Sequence, residues 1–460
     1  MLSAKLLKQL QAALGKEALL TQQADLLSYS YDNSRISLLP DAVVLPSSPA
    51  QVVEIVKLCN QHRIPLTTRG RGSGTSGAAV PSQQGIVLST ERMRRIIKIE
   101  PDNRLMVVEP GITNQEVQQA AAEHGFFWPP DPGSSAFCSV GGNIACGSAG
   151  PRAVKYGTVR ENILGLKAVT GNGDSIRTGT ETTKWAVGYD LTRLLIGSEG
   201  TLAILTEATL KLLPKQPSTV MMRALYQDMQ SAAAAVAAIM AQPATPAALE
   251  FMDHASLKLI RHQLGSHFPA EAGAMLMIEV DGTSQSIDGS IHTIQQAATN
   301  AGLIGLSLAE SQKEVEQLWR ARKILSPRLR EIAPKKINED IVVPVSNIPA
   351  LIAAIQQLAE EHQIQIANFG HAGNGNLHTN LLINPDDPQQ MQRAEVCLEA
   401  LFQTVLELNG SISGEHGIGL VKQPYVALEI AENERNLMAD IKQVFDPKGI
   451  LNPGKGPRRG

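Results

Sequence analysis

TRGRGSGTSG, residues 68–77, follows a short strand pattern, IPLTT (64–68), and carries little side-chain bulk. A segment of this kind presents many backbone N–H groups to one place, which suits a pyrophosphate. It is not a Walker loop, because the Gly-Lys-Ser/Thr ending is missing, and no helix pattern opens behind it as a dinucleotide fingerprint requires. Taken alone, it is equally well a structural loop.

Two further glycine-rich segments lie downstream, PPDPGSSAFCSVGGNIACGSAGPRAVKYGTVREN (129–162) and IGSEGTLAI (196–204). Long irregular segments kept by a compact domain are usually functional. Three of them point to a large, elongated ligand held through backbone contacts. Around them the chain alternates strands and helices. DAVVLP (41–46) reads as a strand, and a helix begins at Ser48, its N-cap, with Pro49 in the first turn. Strands are expected at 85–90, 94–99 and 105–109, then a helix from Thr113 to His124. ILGLKAVTGNGDSIRTG (163–179) reads as a hairpin turned at Asn172-Gly173, and TLAILTEATLKLLP (201–214) as a strand pair.

KQPS (215–218) reads as a linker, beyond which a second α+β unit begins. There GAMLMIEVDG (273–282) is a strand, and helices fall near 285–301, 310–330, 346–362 and 389–409. The division expected is a helical segment at 1–36, a first domain at 37–216 and a second at 217–460, with GKGPRRG as a frayed end. The first segment has Leu6, Leu7, Leu10 and Leu14 along one side of a helix. It lacks the unbroken apolar run and cleavage site of a signal peptide. SAAAAVAAIMA (231–241) is shorter than the ~20 residues that span a bilayer and reads as a packed helix.

Over 460 residues, 43% are hydrophobic and 18% charged, and the formal net charge is −3 with the basic residues scattered. This excludes a nucleic-acid footprint and a polybasic membrane anchor. Cys59, Cys138, Cys146 and Cys397 form no CxxC pair, so neither a disulfide framework nor an iron–sulfur or zinc-ribbon site is expected. A cytoplasmic setting follows, with peripheral attachment to an inner membrane left open.

GHAGNGNLH (370–378) places His371 and His378 on either side of a turn, between the strand patterns QIQIANF and NLHTNLLI. A hairpin would bring both imidazoles to one point, as metal ligands or as ordinary hairpin residues. SGEHGIG (413–419) adds a carboxylate, Glu415, and an imidazole, His416. Two histidines and one carboxylate leave coordination positions open, as a catalytic metal needs, with zinc, manganese and iron all admissible. EQLWRARKILSP (316–327) sets Trp319, Arg322 and Ser326 along one helix face, where Arg322 could grip a carboxylate or simply be solvated.

The three glycine-rich segments together resemble the FAD-binding domain of the vanillyl-alcohol oxidase type flavoproteins. GHAGNGNLH, SGEHGIG and DPKGILNPGK resemble one branch of it, the FAD-linked D-2-hydroxyacid dehydrogenases: glycolate oxidase catalytic subunit, D-lactate dehydrogenase and D-2-hydroxyglutarate dehydrogenase. The resemblance runs in order over nearly the whole chain. It implies an α+β fold in which a two-lobed FAD-binding domain is followed by an α+β FAD-linked oxidase C-terminal domain.

It further implies that Arg69, Gly70, Arg71, Gly72, Ser73, Gly74, Thr75 and Ser76 hold the FAD pyrophosphate. Asp131, Pro132, Ser139, Gly141, Gly142, Asn143, Gly200 and Ile204 would line the rest, and Asn452 would meet the flavin edge. Members that link the flavin covalently carry a histidine after Arg-Gly-x-Gly; Ser73 stands there, so FAD is expected to be noncovalent. The resemblance makes His371, His378 and Glu415 ligands of a divalent metal, and His416 the base for the 2-hydroxyl while a hydride leaves C2 for flavin N5. Arg322 would bind the substrate carboxylate, with Ser326, Lys336 and Asn380 also at the substrate. Asn374 replaces an aspartate common in the family's turn, which removes a charge near the metal.

The expected substrate is D-lactate or glycolate, with D-2-hydroxyglutarate as the alternative. Electrons would pass to a quinone, an electron-transfer flavoprotein or an iron–sulfur subunit. The rival functions are a metal-free flavin alcohol oxidase and a noncatalytic FAD-binding subunit of a larger complex.

Overall fold

The computed structural model describes residues 2–264 and 268–460. They form two compact units, one of Met1–Ala149, Gly157–Lys215 and Glu415–Gly460, the other of Gly150–Tyr156 and Gln216–Gly414. Relative to a cut at 216/217, residues 150–156 group with the second unit and 415–460 with the first.

The first unit holds two main sheets. In the smaller, Ala42–Val44, Ile86–Ser89 and Leu66–Arg69 run parallel, with Leu19–Leu20 antiparallel at the edge. Pro49–His62 is the helix expected there, capped by the Ser48 side chain and begun by Pro49. It packs with Ala4–Leu14, which buries Leu6, Leu10 and Leu14, in a core that includes Val52, Ile55 and Leu66. The larger sheet is antiparallel, in the order Ile96–Glu100, Leu105–Val108, Ala203–Lys211, Ile163–Thr170, Ser175–Gly179. Its last two strands are the expected hairpin, and Gly173 takes the positive φ of 84° that the turn requires. Asn114–Ala122 is helical, opened by a capping box between Thr113 and Glu116.

Two expectations need correction. TLAILTEATLKLLP is not a strand pair: Ala203–Lys211 is one nine-residue strand, bulged between Leu205 and Glu207, because no turn residue interrupts it. Leu213–Pro214 pairs elsewhere, with Phe126–Phe127. Nor is the tail frayed from Gly454, since Leu451 bridges to Leu66 and Lys455 is buried, donating to the Asn452 Oδ1 at 2.8 Å.

The second unit is a seven-stranded sheet in the order Leu303–Leu308, Ser218–Tyr226, Ala274–Gly282, Ala248–Asp253, Gln365–Gly370, Asn376–Ile383, Lys335–Val342. Met229–Ala241, Ile287–Ala298, Ile348–His362 and Pro388–Glu407 cover one face. Against the other lie His254–Ile260 and Gln312–Arg328, over a core that includes Met221, Met252, Met275, Met277, Leu318 and Leu325. Residues opposite one another in a ladder share a face. The pairs Met252↔Phe369, Phe369↔His378 and His378↔Asp340 therefore lie on this second face, and strand alternation adds Glu250, Asn380 and Lys336.

Candidate active site

In the first unit the glycine-rich loop leaves the Leu66–Arg69 strand at the sheet's edge. None of the backbone N–H groups from Gly70 to Gly77 donates to a protein acceptor among the described residues. The side chains that frame the loop are committed inward. Arg69 donates to the Tyr31 carbonyl at 2.6 Å and the Ser28 carbonyl at 3.3 Å, and Asn33 donates to the Ser73 carbonyl at 3.0 Å. Gly70 and Gly72 are needed for space, because a Cβ would strike the Ser139 hydroxyl at one and the Arg69 guanidinium at the other. Gly74 faces open space. The Thr68 hydroxyl is buried without a partner among the described residues.

The other two segments meet the same region by different means. Ser139 caps the Val140–Cys146 helix by accepting from the Gly142 N–H at 3.2 Å, so its amides are spent within the protein. Gly141 is pressed against Pro110, and Asn143 is buried, its amide oxygen near Asn114. Asp131 and Pro132 begin the turn closed by Ser135 on the Pro132 carbonyl. Gly200 has a positive φ of 71° beside Thr68, whereas the Ile204 side chain belongs to the core. Asn452 donates to the carbonyls of Ala78 (3.0 Å) and Glu199 (2.6 Å), tying the ends of two loops together.

Glu199, between the glycines of IGSEGTLAI, accepts from the backbone N–H groups of Ile418 (3.0 Å) and Gly419 (2.9 Å). That contact seats the segment that follows Glu415 and His416. Burial pushes its carboxyl up to about 7, against these two amides and the Lys455 charge. Burial likewise pushes Lys455 down to about 8.

In the second unit the hairpin forms as expected, with Phe369 opposite His378 and a 3-10 turn at Ala372–Asn374. The His371 and His378 rings lie with centroids 5.2 Å apart at 87°, both largely buried. Asn374 sits in the turn, its N–H bonded to the His371 carbonyl at 3.0 Å. Glu250 is fully buried and accepts from His371 Nδ1 and Arg322 Nε, each at 2.6 Å. Burial opposes ionisation of Glu250, but the interactions with His371 and Arg322 outweigh it and hold the carboxyl below the usual range. Arg322 also lies over the Phe369 ring at 4.7 Å, and Phe369 packs on His378 at 5.7 Å.

Four residues along the Gln312–Arg328 helix, Ser326 accepts from Lys336 Nζ at 2.6 Å. Asn380 donates to the carbonyls of His378 and Ala367, while its buried Oδ1 has no hydrogen-bond partner among the described residues. Asp340, opposite His378 in register, brings Oδ1 to 3.9 Å from His378 Nδ1. Its backbone carbonyl accepts from the Gly414 N–H at 3.0 Å, and Glu415 and His416 follow directly in the chain.

The family model for FAD linked oxidases, C-terminal domain, matches residues 215–456, and the FAD binding domain model matches 40–179. The chain belongs to the FAD-linked oxidase family. It is similar to glycolate oxidase subunit GlcD of Bacillus subtilis, 37% identical over 97% of this chain and 96% of that one. A D-lactate dehydrogenase of Archaeoglobus fulgidus is 35% identical, covering 94% and 96%. The crystal structure of p-cresol methylhydroxylase with substrate bound shares the fold, with a TM-score of 0.83 at 20% identity over 99% of this chain and 96% of that one. This family member is an FAD-dependent oxidoreductase of the glycolate oxidase and D-lactate dehydrogenase type, on the two-domain fold of the vanillyl-alcohol oxidase flavoproteins.

The oxidase's first unit fits FAD by its own chemistry. A run of amide donors unspent among the described residues, with little side-chain bulk, is what a pyrophosphate needs, and Thr68 adds a buried hydroxyl that has no partner there. The histidine pair fits a borderline divalent cation by its donor chemistry, since imidazole nitrogens suit such ions and the Glu250 carboxylate at His371 Nδ1 is the kind of outer partner that orients a ligating ring. Glu250, Asp340 and Glu199 were missed in the sequence. The signal at Glu250 was a lone carboxylate in the strand run ALEFMD, where a buried charge needs a partner. Among the described residues no helix is long and apolar enough to cross a membrane.

Proposed function

We propose that the chain oxidises a small D-2-hydroxy acid, D-lactate or glycolate, to the 2-oxo acid, using noncovalent FAD and a divalent ion of zinc, manganese or iron. The observation that carries this reading is the joining of the His371–His378 pair to Arg322 through Glu250 on one sheet face. The names of the relatives, a glycolate oxidase subunit and a D-lactate dehydrogenase, support the same substrate class. Bound FAD would supply the two-electron acceptor, and a bound divalent ion the Lewis acid for the 2-hydroxyl.

The residues divide the remaining work. The 68–77 loop and Gly200 hold the cofactor through backbone amides, with 131–143 shaping the space beside it; Asn452 acts through the loops it ties. His371, His378 and Glu415 are the metal ligands, with Asp340 a further oxygen donor beside His378. Among the described residues Arg322 has only Nε hydrogen-bonded, so its two Nη groups present a fork for the substrate carboxylate. His416 accepts the hydroxyl proton, a task suited to an imidazole at working pH. Electrons then leave to a quinone, an electron-transfer flavoprotein or an iron–sulfur subunit, in a cytoplasmic setting.

One observation favours D-2-hydroxyglutarate as a second reading. Lys336 and Ser326 place a second cation one helical turn beyond Arg322, and Asn380 shares their sheet face with an unpaired amide oxygen. A distal carboxylate would suit that group.

The test uses protein stripped with chelator and then given zinc or manganese, with a dye as electron acceptor. D-lactate, glycolate and D-2-hydroxyglutarate are compared, the chiral acids against their L isomers. Activity that disappears with the metal, returns on its addition and favours a D acid is the expected result. Protein that keeps FAD but is reduced by none of these acids under any metal condition overturns the reading.

A further inference from the structure

Five contacts close a circuit on one face of the second sheet. Glu250 bonds His371, His371 meets His378, His378 packs on Phe369, Phe369 lies under Arg322, and Arg322 bonds Glu250. The two oxygens of one carboxylate thereby serve two different groups, Oε1 the imidazole and Oε2 the guanidinium. We infer that Glu250 is a positioning residue that sets the metal-binding imidazole of His371 and the carboxylate-gripping fork of Arg322 together, so that metal affinity and substrate affinity depend on the same side chain. The inference rests on the proposed metal and substrate roles of those two residues.

The geometry carries it in three steps. Glu250 lies in Ala248–Asp253, the central strand of seven, hydrogen-bonded to a neighbour on both sides, so its Cα is fixed by the sheet. An ionised carboxylate only accepts, so the His371 Nδ1 that faces it carries a proton, and the ring's other nitrogen, Nε2, points away from Glu250. Such carboxylate–imidazole pairs hold the ring in one orientation and raise its basicity toward a metal. At the other oxygen, the bond to Nε and the Phe369 ring beneath fix the guanidinium plane, leaving the Nη edge as the open side. A carboxylate that served only to neutralise Arg322 would not need His371 at 2.6 Å.

Glu250→Gln keeps the size and removes the charge, and its amide nitrogen cannot accept from the imidazole or guanidinium. Manganese(II) is titrated into chelator-stripped flavoprotein and the free ion followed by electron paramagnetic resonance, a readout independent of turnover. E250Q is expected to bind the ion about ten- to hundredfold more weakly than wild type. At saturating metal, KM for D-lactate or glycolate is expected to rise more than kcat falls. Flavin content and the thermal unfolding midpoint report whether the variant is folded. If E250Q does not hold FAD, Glu250→Asp is measured instead; it keeps the charge but is one methylene too short to reach both partners, and the same two losses are expected. Wild-type affinity for manganese together with an unchanged KM, in either folded variant, overturns the shared role and leaves the proposed function standing. Wild-type protein that takes up no metal overturns the metal reading, and the coupling with it.

Discussion

The imidazoles of His371 and His378 meet edge to face, ring centroids 5.2 Å apart and planes at 87°. Neither ring is on the surface; His371 follows the Gln365–Gly370 strand at the start of the turn and His378 lies on the returning strand, so each is held by its own backbone and removing either leaves the other in place. His371→Ala and His378→Ala should each lose bound metal while keeping FAD, which the other unit holds. A Lewis acid supplies several kcal/mol of transition-state stabilisation, so kcat/KM should fall roughly a thousandfold. Metal analysis and flavin absorbance on the same samples check this; metal retained at wild-type stoichiometry in both variants would remove the pair from the ligand set.

Arg322 and Glu250 form a buried ion pair, with side chains 11% and 0% exposed. Breaking such a pair from one side leaves an uncompensated charge and costs about 3–5 kcal/mol. Arg322→Met should therefore lower the unfolding midpoint as well as substrate affinity. The double variant R322M/E250M should regain only part of the midpoint, since replacing both charges relieves the unpaired carboxylate but also takes the acceptor from His371 Nδ1. It should not regain substrate binding. A double variant less stable than R322M would count against the unpaired Glu250 charge as the cause of the loss in R322M.

Glu199 predicts a particular pH dependence. Its carboxyl is raised from 4.5 to about 7 by burial, so the folded chain keeps a proton there that the unfolded chain has already lost. Stability from this group is fully present below pH 4.5 and is lost as pH rises through about 7. Lys455, lowered from 10.5 to about 8, acts in the opposite sense, and stability returns as pH climbs from about 8 to 10.5. The contribution of this pair is thus lowest between pH 7 and 8. Relative to Glu199→Gln, which does not titrate, the wild-type unfolding free energy should drop between pH 5 and 7.5, by an amount on the order of 2–3 kcal/mol. Parallel profiles for the two proteins would show that Glu199 does not titrate there.

The glycines of the 68–77 loop should separate into two classes. Gly72 has a φ of +65° and no room beside the Arg69 guanidinium, so Gly72→Ala should destabilise the protein with or without flavin, by about 1–3 kcal/mol. Gly74 has ordinary backbone geometry and open space around it. Gly74→Ala should leave the flavin-free protein as stable as wild type but weaken FAD binding, because the methyl group enters the space a pyrophosphate would use. Flavin titration beside thermal unfolding of the apoprotein separates the two effects. A Gly74→Ala protein with unaltered FAD affinity would move the phosphate site elsewhere on the loop.

Local patterns carried much of the fold. Ser48 and Pro49 announce the helix they begin, Thr113 and Glu116 announce another, and Asn172-Gly173 marks the hairpin it turns. The closeness of His371 and His378 is local as well, since a tight turn joins their strands. Glu250 was hidden because its partner His371 is 121 positions away, brought near only by pairing of Ala248–Asp253 with Gln365–Gly370. Asp340 was hidden in the same way, through the pairing of Lys335–Val342 with Asn376–Ile383. Non-consecutive neighbours in a sheet leave no periodicity behind, so register decides which polar residues meet. Arg69 shows the converse: the motif draws attention to its charge, yet the guanidinium is spent on the Tyr31 and Ser28 carbonyls.

Asn452 fastens the carbonyl of Glu199 across 253 positions of chain, and Leu451 bridges to Leu66. During synthesis those two clasps arrive last. At about 5–20 residues per second, the ribosome takes roughly tens of seconds to deliver Asn452 after Glu199 has emerged. Within that interval Gln216–Gly414 is made and, near its end, can close its own sheet, while the earlier-made unit waits with the Leu66 edge unsealed. The order of translation is therefore the reverse of the order of completion: the unit begun first is finished last. A ribosome stalled before Leu451 would present a finished second unit attached to a first one whose glycine-rich loops are not yet tied.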